Sequence, residues 1–305
     1  MHYYSSGKLL ITGEYLVLKG ARALVSPVKF GQSLNIAGAE NDGWLTWESF
    51  ENEICWFKAK FDTTLLKIID TTDHKIADHL LSWLKAADQL NPGFLALQKS
   101  KNVFVKADFK LSWGLGSSSS LLSDIAFWAG IDPFKLHLLV SKGSGYDVVF
   151  AREHQPGFFS RTDEYYKVES ADFNPSFKGC LFFIYLGNKQ DSSASVKAFN
   201  ARTGSLDIEI KIISDLSERI AFANTLSSFE ESISHHEEII SHLLGKERLK
   251  KDRFSDLRGE IKSLGAWGGD FAMITWHDTA EELKKYLKTK NIDIVFSFDE
   301  MIKTK

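Results

Sequence analysis

Alternating apolar and polar positions predict that the first half of the chain is rich in β-strands. Residues 7–18 are mostly apolar and are interrupted by the pair Gly13-Glu14, a pattern that indicates two strands or one strand with a bulge. Residues 43–61 alternate around a polar centre and predict a hairpin. Residues 101–111 also alternate, and this predicted strand leads directly into a glycine- and serine-rich stretch.

Helical spacing of apolar residues is clearest in two other places. Residues 73–90 predict an amphipathic helix that is stopped by Asn91-Pro92-Gly93. Residues 206–244 predict two helices with a break near Ser227, and Gly245 supplies the final stop.

The pattern of residue types along the chain changes after Gly157, which predicts a domain boundary near residue 160. The two predicted domains are 1–160, rich in strands, and 161–305, where helices alternate with strands. We therefore expect an α+β fold with two domains and a cleft between them.

The composition of the chain argues against two classes of partner, nucleic acids and anionic membranes. The 305 residues carry a formal net charge of −3, and this balance lacks the basic excess expected for binding nucleic acid or an anionic membrane. The two cysteines lie in apolar, strand-like segments and are expected to fill the core. Neither a secretory signal nor an apolar run of about 20 residues is evident, so the cytoplasm is the expected location.

The stretch from Leu111 to Asp124 is the strongest candidate for a functional site in the sequence. Gly114 and Gly116 flank Leu115, and four consecutive serines then open a helix-patterned run. Free amides and the positive end of a helix attract phosphate, and a first-turn hydroxyl can hold Mg²⁺. A serine-rich loop ahead of a capped helix is an equal alternative from these residues alone.

Other polar residues stand in positions that suit a substrate site. Asp147 follows the turn around Ser144 and suits a proton acceptor, although it also suits a helix N-cap. Lys8 and Glu14 are charged residues in an apolar segment, and they either face a cleft or lie in water at strand ends. His236 lies in a helix without a third metal ligand, so substrate contact is favoured over metal binding.

Three motifs occur in one order along nearly the whole chain: GKLLITGEY, GLGSSSS and LGAWGGDF. Their order and spacing resemble the GHMP kinase superfamily, and GSGYDVV is similar to the corresponding stretch of mevalonate and phosphomevalonate kinases, the GYDIA-type subgroup included. The resemblance implies an N-terminal domain like a ribosomal protein, with a left-handed β-α-β unit, and a ferredoxin-like C-terminal domain.

The resemblance also implies residue roles for ATP and Mg²⁺. Asp147 would be the catalytic base and Lys8 its charged neighbour, and Ser118 would bind Mg²⁺. The residues implied around the ATP phosphates are Gly114, Leu115, Gly116, Ser117, Ser118, Ser119, Gly265, Gly268 and Gly269.

The implied partner is a small, anionic phosphoryl acceptor, and the resemblance allows a homodimer. The acceptor is expected to contact the following residues: Glu14, Ser144, Lys189, Ser192 and His236. The expected reaction is transfer of the γ-phosphoryl group of ATP to mevalonate or phosphomevalonate. The alternatives are a diphosphomevalonate decarboxylase-like enzyme, a GHMP kinase for a sugar or an amino acid, and a non-catalytic nucleotide-binding relative.

The chain departs from the pattern of the superfamily at three places. Leu136 occupies the position where mevalonate kinases carry a glutamate ligand of magnesium. Ser112-Trp113 replaces the usual proline of the second motif, and Trp267 and Asp270 replace small residues in the third. These departures bear on the identity of the acceptor more than on the class of reaction.

Overall fold

The computed structural model divides the chain into two compact units that are not contiguous in sequence. Unit 1 comprises Met1–Gly7, Phe30–Leu111 and Leu115–Glu153, and unit 2 comprises Lys8–Lys29, Ser112–Gly114 and His154–Lys305. The last change of unit, after Glu153, lies close to the predicted boundary near residue 160. The structure describes residues 1–39, 43–162, 164–187, 196, 199, 204–265, 267 and 270–304.

Unit 1 is built on a sheet with the strand order β5-β4-β3-β6-β2. The predicted hairpin is confirmed as β3 and β4, while β3 pairs in parallel with β6 and the remaining neighbours are antiparallel. The strands are β1 (His2–Leu10), β2 (Ala23–Gly38), β3 (Leu45–Glu51), β4 (Ile54–Asp62), β5 (Lys67–Thr71) and β6 (Lys101–Ala107).

The helices of unit 1 cover one face of this sheet. The predicted helix is confirmed as α1, whose N-cap, Asp73, accepts the Ile76 amide through its side chain at 3.1 Å. Alternate residues of β4, Phe57 and Phe61, are buried in one apolar cluster with Leu84 of α1. The helices are α1 (His74–Leu90), α2 (Ser117–Trp128), α3 (Pro133–Val140) and α4 (Tyr146–Phe150).

Unit 2 contains a four-stranded antiparallel sheet in the order β10-β11-β9-β12. All five residues of β11 are buried, as its place in the interior of the sheet requires. Two further strands, β7 and β8, form a hairpin, and β7 also pairs with the N-terminal end of β2. The strands are β7 (Gly157–Arg161), β8 (Tyr166–Ser170), β9 (Leu181–Tyr185), β10 (Ile261–Ser263), β11 (Phe271–Thr275) and β12 (Val295–Ser297).

The two helices predicted between residues 206 and 244 are confirmed as α5 and α6. Gly245 ends α6 in the left-handed conformation, with φ of 64°. None of the helices in the described ranges has the length and hydropathy that a membrane crossing requires. The helices of unit 2 are α5 (Asp207–Ala221), α6 (Leu226–Leu244), α7 (Leu249–Arg253), α8 (Ala280–Thr289) and α9 (Phe298–Met301).

The predicted strand structure of residues 7–18 is correct only as far as Leu10. Gly13 and Tyr15 have φ of 85° and 61°, and these left-handed residues end the extended backbone. A short 3₁₀ helix, Leu16–Lys19, follows instead of a second strand. The turn that precedes it places Glu14 inside unit 2 rather than on a strand.

Candidate active site

The serine run of the second motif forms the N-terminal turn of α2. Gly116 is the N-cap residue, with φ of 87°, and no side chain caps the first turn of the helix. Leu115 is fully buried, whereas Ser118 is exposed. The first-turn amides and the Ser118 hydroxyl are thus suited to donate hydrogen bonds to the oxygens of a phosphate group.

Asp147 is fixed next to this turn, within unit 1. Its Oδ2 accepts a hydrogen bond from the Ser119 hydroxyl at 2.5 Å, and its Oδ1 accepts one from the Val148 amide at 3.1 Å. Asp147 lies in the first turn of α4. The structure therefore brings together a serine of the second motif and the acid of GSGYDVV, which are 28 residues apart in sequence.

The turn before Asp147 is held in place by α3. Gly145 has φ of 84°, and a Cβ there would lie 2.7 Å from the Phe134 ring, so both backbone and space favour glycine. His137 Nε2 lies 3.1 Å from the carbonyl oxygen of Gly143. Ser144 is only 6% exposed, which leaves little of it for the predicted contact with substrate.

A second group of polar residues is buried inside unit 2. Lys262 donates to Glu14 Oε1, and its Nζ also lies 3.5 Å from Glu237 Oε1. Glu14 Oε2 lies 3.3 Å from His236 Nε2, and the Trp267 indole N–H donates to Glu237 at 3.0 Å. Glu14, His236, Glu237 and Lys262 have no exposed side-chain surface, and together with Trp267 we call them the buried polar cluster.

Burial shifts the pKa values of three groups in the buried polar cluster. It raises the pKa of Glu14 to about 7, although the Lys262 ammonium opposes the shift. Burial also raises the pKa of Glu237, and it lowers that of His236 well below the usual value with help from the Lys262 charge. His236 is therefore neutral at physiological pH.

Two residues expected to contact substrate, Glu14 and His236, lie in this cluster. Neither side chain has any exposed surface in this structure. The Gly13 amide, next to Glu14, donates to His236 Nε2 at 3.1 Å. Both residues lie in the interior of unit 2, and their contact with substrate stays a prediction.

The structure describes some of the remaining predicted site residues and not others. Lys8 lies in β1 and is partly buried, and its predicted pairing with Asp147 stays a prediction. Gly265 has φ of 65°, which suits a glycine in the third motif. The other predicted residues lie outside the described ranges: Lys189, Ser192, Gly268 and Gly269.

The second and third motifs approach each other within unit 2 at Gly114. Its φ is 70°, and a Cβ there would lie 2.2 Å from the carboxylate of Asp270. Trp113, the residue before it, packs edge-on against Phe296 at 5.3 Å between ring centroids. A side chain larger than hydrogen at position 114 is thus excluded by both conformation and space.

Sequence reasoning missed a buried acid in α2. Asp124 has no exposed surface and accepts hydrogen bonds from the Ser5 hydroxyl at 2.7 Å and from Arg152 at 2.8 Å. The Arg152 guanidinium also stacks on the Phe127 ring at 4.0 Å. Burial raises the pKa of Asp124 to about 7, against the effects of Ser5 and Arg152.

Three of the missed residues carried a signal in the sequence. Asp124 lies within an apolar helical run, Glu237 occurs on the apolar face of α6, and Lys262 stands between Ile261 and Ser263 in a three-residue strand. A charged residue at a position that periodicity assigns to the core predicts a buried partner of opposite charge. Nothing in the local pattern identifies that partner.

The residues around α2 fit magnesium bound through phosphate rather than a protein-only metal site. Within the described ranges, no group of three or more His, Cys, Asp or Glu residues is arranged to hold a metal ion. The Leu136 side chain is fully buried and carries no oxygen that could bind a metal ion. Mg²⁺ commonly takes one or two protein oxygens together with substrate phosphates, and the exposed Ser118 hydroxyl is the oxygen that the second motif offers.

Comparison with known proteins gives the fold. Neither a protein-family model nor a curated protein sequence matches the chain. The Methanococcus jannaschii mevalonate kinase structure is 15% identical, with a TM-score of 0.70 over 100% of this chain and 98% of that one. The Streptococcus pneumoniae phosphomevalonate kinase, in complex with phosphomevalonate and AMPPNP, is 16% identical, with a TM-score of 0.71 over 97% and 99%.

A sugar kinase is similar at lower identity. The Lactococcus lactis galactokinase, complexed with galactose, is 11% identical, with a TM-score of 0.64 over 95% of this chain and 89% of that one. These structures are all kinases of the GHMP superfamily, and the likeness extends over nearly the whole length of each. The expected fold class is thereby confirmed: the chain has the two-domain α+β fold of the GHMP kinases.

Proposed function

We propose that this protein is an ATP- and magnesium-dependent kinase that phosphorylates mevalonate or phosphomevalonate. The observation that carries the proposal is the 2.5 Å hydrogen bond between Ser119 and Asp147. It joins a candidate phosphate-binding turn to a candidate proton acceptor, and phosphoryl transfer to a hydroxyl group requires both. The GHMP kinase fold supports the same class of reaction.

The proposed mechanism rests on positioning and charge. When bound, Mg·ATP would supply the phosphoryl group, and its metal ion would offset the charge of the phosphates. The first-turn amides of α2 would hold phosphate oxygens, and the exposed Ser118 hydroxyl would be the protein oxygen that holds the metal ion. Asp147, held at both oxygens, orients the acceptor hydroxyl and accepts its proton. Lys8 keeps Asp147 ionised and offsets charge on the transferred group.

The choice of acceptor rests on resemblance. GSGYDVV is similar to the sequence of mevalonate and phosphomevalonate kinases, and kinases of both names have similar structures. Lys189 and Ser192 are proposed to contact an anionic group of the acceptor. We place the enzyme in the cytoplasm, with a small anionic acceptor as its partner and no nucleic acid.

An ADP-release assay tests this function over a panel of acceptors: mevalonate, phosphomevalonate, homoserine and galactose. We expect turnover with one of the first two. Asp147→Asn should lower turnover by roughly 10³-fold while nucleotide affinity stays nearly unchanged, because it removes a group used in the transition state. Asp132→Asn is the matched control, since Asp132 is an exposed N-cap residue of α3 and asparagine caps equally well.

Three outcomes would contradict parts of the proposal. Turnover with only galactose or homoserine would reject the proposed isoprenoid acceptor, but it would leave the assignment as a kinase intact. Release of carbon dioxide from diphosphomevalonate would indicate a decarboxylase. If Asp147→Asn retained activity within tenfold of wild type, Asp147 would not be the catalytic base.

A further inference from the structure

A glutamine on the buried face of β2 reaches the N-terminal turn of α2. Gln32, Leu34 and Ile36 are alternate residues of β2, and all three are buried. The two apolar residues pack in one cluster with Leu122 and Ile125 of α2. Gln32 is only 4% exposed, and a polar side chain is costly in such a position unless it is hydrogen-bonded. Its partners therefore bear on its role.

The Gln32 side chain is bound to the serine run of the second motif. Its Nε2 donates to the Ser117 carbonyl oxygen at 3.1 Å and to the Ser120 hydroxyl at 3.4 Å. The Ser120 hydroxyl donates to the same carbonyl oxygen at 3.0 Å. A carbonyl oxygen can only accept, so the amide nitrogen of Gln32, and not its oxygen, faces this turn. The Ser117 carbonyl thus accepts two hydrogen bonds from side chains.

Asp108 holds the backbone of β2 directly beside Gln32. Its amide donates to the Gly31 carbonyl at 3.1 Å, and its Oδ1 accepts the Gly31 amide at 2.7 Å. A Cβ at Gly31 would lie 2.3 Å from the Tyr4 hydroxyl oxygen, so this position is also closely packed. Gln32 itself pairs with Ala107 of β6. The Gln32 side chain therefore extends from a backbone that several contacts hold in place, as a positioning residue requires.

The Ser117 carbonyl belongs to the same peptide group as the Ser118 amide. Hydrogen bonds that the carbonyl oxygen accepts polarise the peptide group and make its N–H a stronger donor. The Ser118 amide is one of the first-turn N–H groups of α2 that have no partner inside the helix, and Gly116, the N-cap residue, has no side chain to cap it. Gln32 therefore acts, through the Ser117 carbonyl, on an amide suited to a phosphate oxygen.

The hydroxyls of the serine run divide between two directions. Ser119 donates to Asp147 and Ser120 donates to the Ser117 carbonyl, so both hydroxyls are bound within unit 1. Ser118 is exposed. Inward bonds thus hold the first turn and leave its Ser118 side open to a ligand.

We propose that Gln32 is a positioning residue for the nucleotide, because it aligns and polarises the first-turn amides of α2 through the Ser117 carbonyl. Its side chain is buried, so it acts on a phosphate group only through these amides. The role in nucleotide binding rests on the proposed function, since it assumes that this turn binds the phosphates of ATP. The effect of Gln32 on the Ser118 amide does not rest on it.

Gln32→Met tests this role, because it replaces the amide with an apolar side chain of similar size. The dissociation constant of a fluorescent ATP analogue should rise about fivefold, as expected for the loss of one net hydrogen bond. Turnover at saturating Mg·ATP should stay within about twofold of wild type, because the bonds that hold Asp147 are unchanged. An unchanged dissociation constant, with or without a lower turnover, would overturn the proposal.

Gln98→Met is the matched control within unit 1. Gln98 is 6% exposed and its Nε2 donates to the Phe94 carbonyl at 2.8 Å, so this substitution also removes a bond from a buried glutamine to a backbone carbonyl. Phe94 packs edge-on against Trp128, the last residue of α2, at 5.0 Å between ring centroids. The control therefore perturbs the opposite end of the same helix. Equal rises in the dissociation constant for both substitutions would overturn the positioning role, since a general loss of stability would then explain them.

Amide NMR spectra of the nucleotide-free protein separate this inference from the proposed function. In Gln32→Met the Ser118 amide nitrogen should resonate upfield of its wild-type position, because its peptide group has lost a hydrogen bond at the carbonyl. Ser120→Ala removes the other donor and should shift this resonance in the same direction, which keeps the test decisive if Gln32→Met does not fold. An unchanged Ser118 resonance in the folded variants would overturn the proposal.

The two measurements fail in different ways. If the ATP analogue does not bind to wild type, the proposed function and the role of Gln32 in nucleotide binding both fail. The Ser118 resonance then still decides whether Gln32 polarises the first turn of α2.

Discussion

The Ser119 hydroxyl and the Val148 amide each hold one oxygen of Asp147, at 2.5 and 3.1 Å. A carboxylate bound at both oxygens keeps one orientation, which a proton acceptor needs before the substrate arrives. A donor hydroxyl also stabilises the ionised form of the acid. Ser119 therefore affects both the geometry and the charge of the proposed base.

Ser119→Ala should lower turnover by about 10-fold, because hydrogen bonds to charged groups contribute more than neutral ones. The acidic limb of the pH–rate profile should move to higher pH, since a carboxylate without its donor is protonated more easily. Steady-state kinetics from pH 5 to pH 9 measure both effects. Ser119→Thr retains a hydroxyl and should restore the profile; a profile unchanged in Ser119→Ala would show that the bond has no catalytic role.

The sequence predicted these residues better than it predicted the buried polar cluster. Ser119 and Asp147 stand in glycine-rich motifs, whose turn chemistry is local and can be read from a few neighbours. The pairing of Glu14 with Lys262 joins residues 248 apart, and no local pattern specifies such a partner. Glu14 was therefore recognised as an unusual charge in an apolar segment, but its burial beside Lys262 could not be predicted.

At the scale of elements, α2 combines an exposed N-terminal turn with a buried acid. Asp124 anchors the helix to Ser5 in β1 and to Arg152, which follows α4. The hydrogen bond from Ser119 to Asp147 also joins α2 to α4, so both contacts help to fix the helix that carries the proposed phosphate-binding turn. Periodicity predicted α2 and placed Asp124 among apolar residues, but it could not identify Ser5 and Arg152 as the partners of this acid.

Asp124 should make stability depend on pH. Its pKa is raised to about 7 in the folded protein, whereas an unfolded aspartate titrates near 4. The folded state thus binds more protons in this range, and stability falls as pH rises from about 4 through 7, by up to about 4 kcal/mol from this residue. Urea unfolding of wild type and Asp124→Asn at pH 5 and pH 8 measures the difference.

The asparagine variant should lose this part of the pH dependence, because its amide does not titrate. Asp132→Asn is again the control, since Asp132 is exposed and asparagine caps α3 equally well. Parallel slopes for wild type and Asp124→Asn would contradict the raised pKa.

At the scale of the whole molecule, ligand binding should stabilise the native state by mass action. Mg·ATP at 100 times its dissociation constant should add about 2.7 kcal/mol, equivalent for a chain of 305 residues to a rise in melting temperature of about 4 °C. EDTA should reduce this rise, and Ser118→Ala should reduce it by weakening the metal contact. Equal stabilisation by ATP with and without Mg²⁺ would contradict a metal ligand at Ser118.

Unit 2 contains Lys8–Lys29 as well as the C-terminal half of the chain. During synthesis Glu14 emerges early, while Lys262 and His236 are the last of its partners to leave the ribosome. Until then the first motif has nothing to bury its carboxylate against, so unit 2 cannot complete its interior co-translationally. Pairing across such a separation is also slow to form. An N-terminal fragment ending near residue 160 would therefore lack the partners of Glu14 and would expose an unfinished interior.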